Sequence, residues 1–131
     1  MAAILAKGTT TITNAASEPE IQQLCEMLNG MGANISGIGS NTLSIEGVSS
    51  LNSISSISVI PDRIEAGTFL IAAAAVGSEV EVKNIIPDHL DSVIKCLQKA
   101  NIQLEVKDSS IVVKSNTNNI CLLYTSPSPR D

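Results

Sequence analysis

The sequence predicts an α/β (α+β) layered fold assembled from a repeated unit of short strands and helices, and three observations predict it. The composition is 44% hydrophobic with one Phe, one Tyr and no Trp. A core of Ile, Leu, Val and Ala follows, which suits short strands against close-packed helices. Strand-like and helix-like hydrophobic periods alternate along the chain. Finally, the pattern recurs at an offset of 69: Gly8 with Gly77, Ile21 with Leu90, Leu24 with Val93, Leu28 with Leu97 and Ile35 with Leu104. Single matches are cheap, but one offset kept across strand, helix and strand marks an internal duplication.

In chain order, "AAILAKGTT" after Met1 reads as the end of a helix already in progress. "TTTIT" (9–13) alternates weakly as a strand. "SEPEIQQLCEMLNGMG" (17–32) is a helix whose apolar stripe is Ile21, Leu24, Cys25, Leu28 and Met31. Ser17 and Glu20 have the spacing of a capping box, Pro19 falls in the permitted first turn, and Gly32 stops the helix. "ANISGIG" and "NTLSIEGV" read as two strands joined by a Gly-Ser-Asn turn. A further strand ends in "SISVI" (56–60), followed by a helix from Arg63 to Val76 that is apolar on every side and therefore expected to be fully buried. Ala66, Gly67, Ala72, Ala73, Ala74 and Ala75 would let it approach its neighbours closely. The second copy then runs as a strand in "GSEVEVKN", a helix in "PDHLDSVIKCLQKAN" with Leu90, Val93, Ile94 and Leu97 inward, and two strands in "IQLEVKDSSIVVKS".

Several function classes are excluded at this level. A net charge of −5 and the lack of aromatic stacking platforms argue against nucleic-acid binding. "FLIAAAAV" is too short to span a bilayer and no signal peptide is present, so no membrane partner is expected. Cys25, Cys96 and Cys121 lack metal-type spacing and fit a reducing, cytoplasmic setting. Cys25 lies in one apolar stripe and Cys96 adjoins the other, so both read as buried structural thiols. His89 reads as an exposed residue in the first turn of its helix, with no partners for metal or acid–base work. The glycines of "GMGANISGIG" do not fall in strand-loop-helix order and read as a helix stop and hairpin turns rather than a phosphate loop.

"GTTTITNAASEPEI", "LNGMGANISGIG", "LSIEGV" and "VIPDRIEAGTFLIAAA" together closely resemble the enolpyruvyl transferase family, and within it the enzymes acting on UDP-N-acetylglucosamine. The likeness covers roughly residues 2–115, and its most specific parts are "NAASEPEI" and "PDRIEAGTFL". It implies the family's inside-out α/β barrel of βαβαββ units arranged around buried helices in two domains, of which about one and a half repeats are present. Residues 1–59 would be the C-terminal part of one domain and 60–120 the start of the second. "CLLYTSPSPRD" (121–131) shares no periodicity with the rest and resembles a translated sequencing adapter, so it is expected to be an artefact.

The resemblance implies transfer of the enolpyruvyl group of phosphoenolpyruvate to the sugar 3-hydroxyl, at the first committed step of peptidoglycan synthesis. No metal or organic cofactor is implied. The sister enzyme acting on shikimate 3-phosphate is the alternative, and a non-catalytic repeat module the alternative from another class. The family's cysteine loop would lie upstream of Met1 and its catalytic aspartate downstream of Ile120. No residue here is therefore assigned a catalytic role, and the chain alone is expected to be inactive. Glu18, Glu20, Asp62 and Arg63 match positions near the family's interdomain cleft and are the substrate-binding candidates. The plainer reading has Ser17, Glu20, Asp62 and Glu65 capping two helices. Asp62 is the best functional candidate, because a cap alone would accept Ser or Asn equally well.

Overall fold

A computed structural model describes residues 1–114. The segment 121–131 lies outside the described residues. The chain divides into two compact units, Met1–Ile60 and Pro61–Asp131.

The first unit opens with a 3-10 turn at Ala2–Leu5, followed by β1 (Thr9–Thr13), α1 (Pro19–Gly30), β2 (Asn34–Ser36) and β3 (Thr42–Glu46). The strands form an antiparallel sheet in the order β1-β3-β2. One face of β3 carries Leu43 and Ile45, which meet Ile4, Cys25, Leu28 and Ile35 in the core. The stripe expected on α1 is the buried one, with Ile21, Leu24 and Met31 packed around Cys25 and Leu28.

The second unit holds α2 (Arg63–Val76), β4 (Val80–Lys83), a 3-10 turn at Pro87–Leu90 leading into α3 (Asp91–Lys99), β5 (Leu104–Val106) and β6 (Ser110–Val113). Its sheet is again antiparallel, in the corresponding order β4-β6-β5. Leu70, Leu90, Ile111 and Val113 are its most enclosed side chains.

The duplication inferred from the offset is thus present in three dimensions. The helices end alike as well. Gly32, Gly77 and Asn101 each adopt a left-handed conformation (φ 96, 68 and 61). The two amides that follow α1 bond back to Asn29 and Leu28, those after α2 to Ala74 and Ala73, and those after α3 to Gln98 and Leu97. This is the Schellman motif, which satisfies carbonyls the helix cannot. Gly32 and Asn101 stand 69 apart, so the duplicated helices stop at equivalent residues. The offset slips in the sheets, where the ends of β1 and β4, Thr13 and Lys83, stand 70 apart. Ile35 pairs with Ile45 and Leu104 with Val113, an offset of 69 for the first partners and 68 for the second, because the second hairpin is one residue shorter.

Several expectations are corrected. No strand forms at 56–60: residues 51–60 have no ladder partner among the described residues, and the chain bends at Ser55. Ser17 and Glu20 do not build a capping box. Pro19 is the first helical residue, so Glu18 becomes the N-cap and makes no side-chain cap bond. Ser17 and Glu20 are one position out of register for the reciprocal bonds, and Gln22 instead donates to the Ser17 carbonyl at 2.7 Å. The helix expected from Pro87 begins with a 3-10 turn, and Cys96 is exposed because α3 turns Val93, Ile94 and Leu97 toward the core. The helix α2 is not fully buried. Ala66, Gly67, Leu70, Ala73 and Ala74 face inward. Ala72 and Ala75 do not, and Ile64, Phe69, Ile71 and Val76 are 62%, 57%, 52% and 73% exposed.

Candidate functional site

The charged cluster before α2 resolves first as a helix cap. Asp62 holds an extended backbone conformation, and its Oδ1 accepts from the Ile64 amide at 2.8 Å and the Glu65 amide at 3.1 Å. Two of the four amides that a helix start leaves unsatisfied are thereby paired, and the carboxylate sits at the positive end of the helix dipole. Glu65 adds a second negative charge in the same turn. Both bonds fall on one oxygen, Oδ1.

Beside this cap opens a depression of about 340 Å³. Asp62, Glu65 and Phe69 wall it from α2; Val82, Lys83 and Asn84 wall it from the end of β4. Asn84 is left-handed (φ 57) and turns the chain out of β4, as Asn14 (φ 53) does after β1. Asparagine tolerates that conformation better than most residues. Lys83 is held by Glu81, with Nζ 3.2 Å from Oε2. A tighter crevice on the adjoining side is bounded by Asp62, Arg63, Ala66, Ile85, His89 and Leu90. His89 is therefore half-buried at the end of its 3-10 turn rather than on an exposed face.

The depression brings two carboxylates, an ammonium and a carboxamide around an apolar wall. Such a set can orient polar or charged groups of a ligand. No cysteine lines it. Among the described residues no three His, Cys, Asp or Glu side chains are grouped to hold a metal.

Of the four predicted site residues, Asp62 and Arg63 share the crevice in the second unit. Glu18 and Glu20 are exposed in the first unit, at the N-cap and in the first turn of α1. Lys83, Asn84 and Phe69 were not singled out from sequence. Lys83 and Asn84 reach the helix mouth only through the β4 pairing, and nothing local in "VEVKN" announces it.

The comparisons with known proteins agree with one another. A family model described as EPSP synthase (3-phosphoshikimate 1-carboxyvinyltransferase) matches residues 1–125. The UDP-N-acetylglucosamine 1-carboxyvinyltransferase of Prochlorococcus marinus (strain AS9601) is 50% identical over 129 residues, which are 98% of this chain and 28% of that protein. The protein of the same name from a Nitratiruptor species is 53% identical over 114 residues, 86% of this chain and 27% of that protein. Among solved structures, the enolpyruvyl transferase NikO from Streptomyces tendae superposes with a TM-score of 0.76 at 22% identity, covering 88% of this chain and 28% of that one. The chain spans a little over a quarter of the length of these relatives.

Proposed function

The chain belongs to the EPSP synthase (3-phosphoshikimate 1-carboxyvinyltransferase) family, and on that premise we propose that it is a piece of the transferase that moves the enolpyruvyl group of phosphoenolpyruvate to the 3-hydroxyl of UDP-N-acetylglucosamine. The observation that carries this reading is the 50% identity over 98% of the chain to proteins named for that reaction. The whole protein would then act in peptidoglycan synthesis in the cytoplasm, and so in cell-wall biogenesis, cell shape and cell division. The described residues hold no helix long and apolar enough to cross a membrane.

On this reading the two units are the end of one transferase domain and the start of the next, joined at Ile60–Pro61. Their share of the chemistry is recognition. Addition of the sugar hydroxyl to the enol ether carbon needs a proton donor for the methylene, a base for the hydroxyl, and cations for phosphate and carboxylate. The seven basic residues before residue 121 are outnumbered by twelve acidic ones, so the remaining length of the protein would supply the cationic set. Asp62 contributes by holding the mouth of α2 with Oδ1, and Arg63 stands beside it in the crevice. Glu18 and Glu20 orient cations from the start of α1.

The test uses the full-length protein. Phosphate release from phosphoenolpyruvate is expected with UDP-N-acetylglucosamine and not with shikimate 3-phosphate; the reverse preference would assign the chain to the sister enzyme. Asp62→Asn keeps a side-chain oxygen for the cap. It should lower turnover about tenfold or more, which corresponds to about 1.4 kcal/mol of transition-state stabilisation, with the melting temperature nearly unchanged. Turnover equal to wild type would leave Asp62 as a cap and nothing more.

A further inference from the structure

The segment 51–60 lacks a strand partner among the described residues, yet its last residues are held, and one side chain holds them. Gln23 projects from the middle of α1; its Nε2 donates to the Ser58 carbonyl at 2.8 Å, and its Oε1 accepts from the Ile60 amide at 3.1 Å. A carbonyl at one residue and an amide two residues later are the pair that a single residue of a neighbouring parallel strand would satisfy. The primary amide of Gln23 reproduces that donor–acceptor set on a flexible stem. Upstream, the segment is tied once more, where the Asn52 amide donates to the Met31 carbonyl at 2.7 Å. Between these two ties it stands off the helix: a groove of about 480 Å³ opens there, bounded by Gln23, Met27 and Gly30 on one side and Ile54 to Ile57 on the other. Ile57 and Val59 are 44% and 81% exposed, while Leu51, Ile54 and Ile60 are half-buried, so apolar burial secures only part of the attachment.

We propose that Gln23 is a latch: its side-chain amide is what keeps residues 58–60, the last before the crossing into the second unit, fastened to α1, and its release frees the segment back to Asn52. The duplication supports a dedicated role. The residue 69 positions on is Ser92, whose side chain is too short to make the paired bonds. Asn29, six residues beyond Gln23, also uses both ends of its amide, on the Ile35 carbonyl and amide at 2.9 Å each, but there β2 is additionally paired with β3. At 58–60 the side chain acts without a sheet behind it. A single pair of hydrogen bonds, one exposed and one partly buried, opens easily, so the latch can be undone without unfolding either unit. The inference goes beyond the proposed reaction and stands whether or not that reading holds.

The test is amide hydrogen exchange in the full chain, comparing wild type with Gln23→Met, which keeps length and helix propensity while removing both bonds. Exchange at the Ile60 amide should rise about tenfold, while the Asn52 amide, tied independently, keeps its wild-type rate. Unchanged exchange at Ile60 would overturn the proposal. A measurement on wild type alone guards against a variant that misfolds. If the latch is closed, the Gln23 side-chain amide has an order parameter close to that of rigid backbone, about 0.85. A freely rotating side-chain amide would overturn it as surely.

Discussion

Gly47 shows how much one residue can decide. A Cβ built there would land on the Ala6 carbonyl oxygen, because the chain after β3 runs against the end of the opening 3-10 turn, with the Gly47 amide bonded to the Gly8 carbonyl at 2.9 Å. The Gly47→Ala variant should lose about 1–3 kcal/mol of stability, the range of an overpacked site. Gly30 makes the contrast. It lies in the last turn of α1, where an added Cβ would meet the Ile54 methyl at an ordinary 3.8 Å. Gly30→Ala should therefore stabilise by about 0.4–1 kcal/mol through the unfolded chain. Thermal melts of the pair check both signs, and a neutral Gly47→Ala would mean that the first ten residues are not held as described. Composition reveals neither outcome, since what an added Cβ would meet depends on residues distant in sequence. The same limit explains the misplaced capping box. Ser17 and Glu20 have the right spacing, and only the position of Pro19 as the first helical residue puts them out of register.

At the scale of elements, the two sheets share an order but not an outer face. In the first unit β3 alternates, with Leu43 and Ile45 inward. In the second, all four residues of β6 are buried. Val112 lies between Glu81 on β4 and Glu105 on β5. Two carboxylates flanking one valine would repel, but Lys83, Lys107 and Lys114 sit among them, at 3.2 Å and 3.3 Å from Glu81 and 3.1 Å from Glu105. The Ser110 hydroxyl bond, then Lys83 and Lys107, hold the Glu81 carboxyl below its ordinary value of 4.5. Lys114, then Lys107, do the same for Glu105. Groups with lowered pKa values in the folded state contribute stability that is fully present above the unfolded value and is lost as the pH falls through the folded ones. Urea midpoints should therefore be level down to about pH 4.5 and fall below it. Glu81→Gln should flatten that acid limb. Parallel curves for variant and wild type would show that the carboxylates are merely solvated.

Over the whole molecule, the feature that sets this chain apart is the uncovered side of α2. Ile64, Phe69, Ile71 and Val76 remain exposed in a helix whose mirror face is packed, in a chain spanning 28% of the length of its P. marinus relative. Exposed apolar side chains on one helix favour association, and the short strands β1, β2, β4 and β5 are edges of their sheets among the described residues. The isolated chain should self-associate with increasing concentration in sedimentation velocity. Phe69→Ser with Ile71→Ser should restore a monomer without lowering the melting temperature, because neither side chain is part of the core. A wild-type chain that stays monomeric at high concentration would remove the expectation.

The sequence by itself determined the duplication, the two helix–hairpin units and the extents of β1 and α2, because hydrophobic period and glycine placement are local properties that survive without a partner. It also carried the family resemblance in "NAASEPEI" and "PDRIEAGTFL". Tertiary structure decided whatever depends on what lies opposite. A strand at 56–60 needs a neighbour, and finds the amide of Gln23 instead. An apolar helix is buried only where something covers it, and α2 is covered on one side. Lys83 and Asn84 join Asp62 and Glu65 at one depression only because a ladder between β4 and β6 sets the end of β4 beside the mouth of α2. Pairing across the chain is a sum over distant residues, and no window of neighbouring ones contains it.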